Sequence, residues 1–171
     1  RDLVLNELEN IMNLAKSFET REELSVLLLA KLIALDAPDP NIISPRAYDD
    51  FYAELDSSLL VRYKRVGSEK LIYEAIKTDR DSLKRYGEET AEHPLIELLY
   101  GKDPLVGMES LSSLRVNRKG MSDLLEISYS TVDAAWCKLT LDEHIRVFLA
   151  QHKLVEENRS GGALAYFKEA T

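Results

Sequence analysis

The stretch MSDLLEISYSTVDAAWCKL, running from Met121 to Leu139, decides how the C-terminal part of this chain folds. Its spacing predicts a short helix over residues 121–126, a turn at Ile127 and Ser128, and a second helix over residues 129–139. A third helix is expected over residues 142–152, followed by a hairpin with strands at 154–157 and 163–168. The five residues between those strands, Asn158 to Gly162, include two glycines and suit a hairpin loop. At helical spacing Val132, Trp136 and Leu139 share a face, so Trp136 is expected in the core, against Ile145, Phe148 and Leu149.

This stretch resembles the winged helix-turn-helix superfamily, with Ser128-Tyr129-Ser130-Thr131-Val132 standing where a recognition helix opens. Leu154 to Glu157, Gly161-Gly162 and Tyr166 are similar to the wing, and the resemblance covers the C-terminal third of the chain. It implies a fold first and contact with duplex DNA second. Two registers stay open, because residues 140–153 separate the helix pair from the wing. Either that segment is an insertion, or it is itself the recognition helix and presents His144, Arg146, Gln151, His152 and Lys153 to the groove. The DNA-binding residues implied are Arg146, Lys153 and the wing-tip Arg159, with His152 and Lys138 beside them.

Upstream of this segment the pattern is helical throughout. Val4, Leu8, Ile11, Ala15 and Phe18 recur every three or four residues and form one stripe. Thr20 with Glu23 reads as a capping box opening the next helix. That helix is apolar nearly all round, from Leu24 to Leu35, and is expected to be the central core helix, ended by Pro38 and Pro40. Ser44-Pro45 opens a third helix and Ser68 a later one, with Gly67 as the break and Leu71, Ile72, Ala75 and Ile76 as its stripe. A short apolar helix begins near Pro94. The turn signal at residues 101–104 divides an acidic helical bundle, residues 1–101, from a winged-helix-like unit, residues 102–171. The expected class is mainly α with one small β-hairpin.

Composition limits what such a chain can do. Of the 171 residues, 45% are hydrophobic and 30% charged, which suits a globular chain. No apolar run is long enough to span a bilayer, so no membrane association is expected. Arg1 in place of an initiating Met leaves a removed targeting segment compatible with the sequence. Cys137 is the only cysteine, which excludes an intrachain disulfide and suits a cytoplasmic or nuclear location. The net charge of −8 is uneven: residues 1–99 carry 13 Lys and Arg against 20 Asp and Glu, and residues 100–171 carry nine against ten. An acidic surface repels phosphate, which leaves only the near-neutral C-terminal part for nucleic acid. The basic clusters at Arg62-Tyr63-Lys64-Arg65 and at Arg115, Arg118 and Lys119 read as solvated faces.

No catalytic constellation emerges. His93, His144 and His152 with one cysteine make no metal-ligand spacing, and no phosphate-binding glycine loop occurs. Cys137 reads as a small packing hydrophobe. Asp49-Asp50 on a helix and Glu156-Glu157 on a strand point apart rather than converge. The expectation is therefore a protein without enzymatic activity, cofactor or metal. It would act as a DNA-associated regulatory or genome-maintenance factor whose helical half binds a protein partner or its own copy. The alternative is a protein-interaction scaffold subunit that never touches nucleic acid.

Overall fold

In the computed structural model, the backbone is described over residues 2–170 and the side chains over residues 6–159. Among the described residues eight α-helices and one two-stranded antiparallel sheet follow in the order α1 (Asp2–Ala15), α2 (Phe18–Ala34), α3 (Pro45–Glu54), α4 (Ser57–Lys64), α5 (Glu69–Lys84), α6 (Pro94–Tyr100), α7 (Met108–Leu111), β1 (Arg115–Arg118), β2 (Leu125–Ser128) and α8 (Ala134–Ala170), with a single 3-10 turn at Gly87–Thr90. The mainly helical class agrees with the sequence. Among the described residues, no helix is long and apolar enough to cross a membrane.

The central element is α2, as its composition dictates. Leu24, Val26, Leu28, Leu29, Ala30, Leu32 and Ile33 are all buried, and a helix apolar on every side has to be surrounded. Its neighbours include α4, α5, α6, α7 and α8. One polar residue is buried among these apolar ones: the Ser25 hydroxyl lies 2.6 Å from the Val106 carbonyl and 3.2 Å from that of Leu99, which tie α2 to the α6–α7 segment. Two expected helix starts are found as read. Ser44 accepts the Ala47 N–H with Pro45 following, and Ser68 caps α5 after Gly67, whose φ of 118° ends the preceding segment.

The start of α2 differs from expectation. Ser17, extended at φ −67° and ψ 153°, is the cap and accepts the Thr20 N–H. Thr20 is buried inside the helix with its hydroxyl 2.7 Å from the Leu14 carbonyl, and the Glu23 carboxylate receives the Tyr73 hydroxyl instead of closing a box. The first stripe is accordingly cut after Ala15, and Phe18 opens α2 with half its surface exposed. Val4 of that stripe lies outside the described side chains. On α5, Ile72 and Ile76 are buried as expected, whereas Leu71 is exposed.

Larger corrections fall in the C-terminal part. Residues 121–126 are not a helix. They form part of the turn and the start of the second strand of a β-hairpin in which Val116 pairs with Ile127 and Arg118 with Leu125. Leu125, Glu126, Ile127 and Ser128 alternate half-buried and exposed, the period of a strand, while Met121 and Leu124 are 89% and 63% exposed and give a helix nothing to pack on. Gly120 turns the chain at φ 61°, and the Arg118 guanidinium donates to the Met121 and Ser122 carbonyls to hold the tip.

The expected helix breaks at residues 140–141 and 153, and the wing strands at 154–157 and 163–168, are absent as well. Residues 134–170 are one helix. Residues 134–159 contain no glycine or proline, and a helix interior tolerates Gly161 and Gly162 at a cost of about 1 kcal/mol each. The side chains of the second expected strand lie outside the described residues. Val132 precedes α8 and is exposed, so it shares no helical face with Trp136.

Trp136 is fully buried, as expected, but not where expected. It belongs to the cluster formed by Leu24, Leu28, Leu32, Leu95 and Leu105, and its indole N–H donates to the Leu105 carbonyl at 2.9 Å. One hydrophobic cluster therefore takes residues from both sides of Gly101. Ile145 and Leu149 are exposed, and Phe148 belongs to a second, smaller cluster with Ala15 and Val116, bordered by Ile11, Met12 and Ile127. That cluster joins α1, the hairpin and α8.

Beside Phe148, the buried His144 ring donates from Nε2 to the Ala15 carbonyl at 2.7 Å, while Nδ1 has no hydrogen-bond partner. Burial lowers its pKa, outweighing the opposing effect of the Ala15 bond, because the second ring proton would find no acceptor. An unfolded chain takes up that proton below about pH 6.5, where the folded one resists it, so this contribution to stability is intact above that pH and declines below it.

Two outcomes follow from this packing. Trp136→Ala costs about 3–5 kcal/mol in denaturant unfolding, the range for emptying a buried aromatic site. The stability advantage of wild type over His144→Gln, measured by thermal melts from pH 8 to pH 5, shrinks below about pH 6.5 by at most ~1.4 kcal/mol per pH unit.

Candidate functional site

All five residues implied for DNA contact lie on α8, and the single helix fixes how they relate. At about 100° per residue Arg146 and Lys153 fall about 20° apart, but Lys138 lies about 80° from Arg146 and Arg159 about 140°. Carboxylates are interleaved: Glu157 and Asp142 fall within about 40° of Arg146 on the same projection. Arg146 pairs with Glu143 at 3.1 Å, Arg159 with Glu156 at 4.0 Å, and His152 Nε2 lies 4.0 Å from Glu7 on α1. Lys138 and Lys153 are exposed. Over residues 134–159 the helix carries four Lys and Arg against four Asp and Glu, so no continuous basic stripe forms. Arg159 stands on a helix, not at the tip of a wing.

A groove of about 530 Å³ opens between α3 and the loop before α7, lined by Asp50, Phe51 and Glu54 on one side and Asp103, Leu105 and Val132 on the other. Two of its polar groups, Asp103 and Ser44, are engaged in holding backbone. Asp103 accepts the N–H groups of Leu105 and Val106 at 2.9 and 3.0 Å, and burial raises its pKa against the lowering effect of those bonds. Gly107 closes this loop: a Cβ there would stand 2.3 Å from the Gly101 carbonyl oxygen and 2.7 Å from the Asp103 nitrogen, so only glycine fits. The Ser44 hydroxyl is occupied as the α3 cap, and Arg46 stands 4.0 Å from Asp50.

Asp133, next to the groove-lining Val132, joins two helix N-termini. One carboxylate oxygen accepts the Trp136 N–H at 2.9 Å, capping α8, and the other accepts the Ser44 N–H at 3.2 Å, at the start of α3. Burial raises its pKa, but the bonds from Ser44 and Trp136 outweigh this and hold it below the ordinary carboxylate range. The expected helix start at Tyr129 is displaced to Ala134, and the sequence signal for it is the capping-type Asp133 directly before Ala134-Ala135-Trp136.

Helices α1 and α8 also meet, and no spacing in the sequence announces it. Glu7, His152 and Glu156 bring one ligand atom each to within 4.8 Å of one another. A strand starting at Leu154 would have placed His152 and Glu156 on different elements, whereas on α8 they are one turn apart.

Compared with models of known protein families, with curated proteins and with solved structures, the chain matches none.

Asp133→Ala removes a cap and leaves the Ser44 N–H without its acceptor. The expected loss is about 1–2 kcal/mol in chemical denaturation, and Asp133→Asn recovers only part of it, since its single amide oxygen can accept one of the two N–H groups while its NH2 faces the other.

Proposed function

We propose that this chain is a non-enzymatic scaffold that assembles with further copies of itself through α8. The observation that carries the proposal is the exposed apolar surface of that helix. Ile145 and Leu149 stand one turn apart at 37% and 49% exposure, and Leu154, on roughly the opposite side, is 58% exposed. Apolar residues on two sides of one helix suit an element flanked by partners better than one facing water. At 1.5 Å per residue the 37 residues of α8 span about 55 Å, and Arg159 is still eleven residues from its end.

Charge supports self-assembly over nucleic acid. The balanced signs along α8 allow a second copy to approach without net repulsion there, although the N-terminal half is acidic. A duplex would instead meet Asp142 and Glu157 beside Arg146, with Arg159 turned away. The groove beside α3 supports a structural role too, because Ser44 and Asp103 are committed to backbone groups.

Sedimentation velocity over rising concentration is the test. Wild type is expected to shift to a faster species, and the pair Ile145→Glu and Leu149→Glu to remain monomeric with little change in melting temperature. A wild type that stays monomeric would overturn self-assembly. Salt-dependent duplex binding that is lost on replacing Arg146, Lys153 and Arg159 by alanine would establish the DNA-associated reading instead.

A further inference from the structure

Helices α1 and α8 pack antiparallel, since Ala15 meets His144 and Glu7 meets His152. At the second of these meetings the side chains of Glu7, His152 and Glu156 converge. We propose that these three residues form a binding site for a divalent transition-metal cation of the zinc class, bridging the two helices.

The donor set and its placement carry the proposal. His152 and Glu156 are separated by four residues on one helix, so both project from the same face, and the third ligand comes from the neighbouring helix. One imidazole with two carboxylates suits a borderline cation such as Zn2+, whereas Mg2+ and Ca2+ prefer oxygen alone. Ligand atoms on a tetrahedral zinc at bonds of about 2.1 Å stand about 3.4 Å apart. The three atoms here lie within 4.8 Å of one another, so side-chain rotation without backbone movement closes the remaining gap.

His152 and Glu156 also line a hollow of about 340 Å³ beside Asn10 and Arg159, which leaves space for a fourth ligand such as water. Arg159 is the competitor, 4.0 Å from Glu156, and its guanidinium must swing aside when the cation binds. Glu7 and Glu156 are both partly exposed, which gives the cation an entry path and keeps the affinity below that of a closed structural site.

The test is isothermal titration of untagged, chelator-treated protein with ZnCl2, alongside thermal melts with and without zinc. Wild type is expected to bind one Zn2+ and to melt higher in its presence, because a cation held only by the folded chain stabilises it by mass action. Glu7→Gln, His152→Gln and Glu156→Gln should each weaken binding by about tenfold or more. Arg159→Ala should tighten it, and His93→Gln, far from the site, should leave it unchanged. A tenfold excess of Mg2+ should not displace the zinc. If wild type binds no zinc, or binds it as tightly as the three Gln variants, the approach of His152 to Glu7 is a packing contact only and the site is overturned.

Discussion

Burial of Trp136 is the constraint on which the arrangement of the C-terminal part depends. The indole is fully buried in a cluster that takes residues from α2, α6 and the loop before α7, and its one polar atom is matched to the Leu105 carbonyl. A buried tryptophan must find a partner for that N–H, so its position sets the Asp103–Leu105 loop as well as the root of α8. Asp133 then fixes the direction in which α8 leaves the core, because its carboxylate is held by the N-termini of both α8 and α3. From that anchored root, the helix passes α1 at His144 and Phe148 and continues well past them.

The same geometry divides α8 into a root and a shaft with different chemistry. In the root, Trp136, Thr140, Glu143, His144, Val147 and Phe148 are buried, and even the charged Glu143 is reached by Lys31 and Arg146. Along the shaft, from Leu149 to Arg159, apolar and charged side chains of both signs alternate at the surface, with partial cover from α1 at His152 and Glu156. The proposed self-assembly draws on this mixed surface of the shaft. The α1–α8 seam, where the two carboxylates and an imidazole meet, is where a cation would stiffen the shaft.

Much of the N-terminal half was legible in the sequence because local signals and tertiary packing agree there. Leu24 to Ile33 is too apolar to sit anywhere but the centre, and Ser44-Pro45 and Ser68 cap helices on their own local chemistry. The capping box at Thr20 failed because Ser17, three residues earlier, is already in position to cap. In the C-terminal part short apolar runs were ambiguous between periods. Leu124, Leu125 and Ile127 fit a helical turn as readily as an alternating strand, and only the partner strand at Val116 decides between them. Gly161-Gly162 resembled a hairpin loop, yet two glycines lower the helix propensity of α8 without forcing a turn. Of the residues singled out for DNA, His152 is the one the fold brings to other groups of interest, and no spacing in the sequence reveals Glu7 as its neighbour.

The claim that everything else rests on is that the root of α8 and the helix α2 share one core. Native-state hydrogen exchange measures this directly, by the free energy at which amide groups open across the two elements. With a shared core, the amides of residues 137–148 and 24–33 exchange through the same global opening and respond alike to low denaturant. Exchange of residues 137–148 at a markedly lower free energy, with α2 still protected, would contradict it.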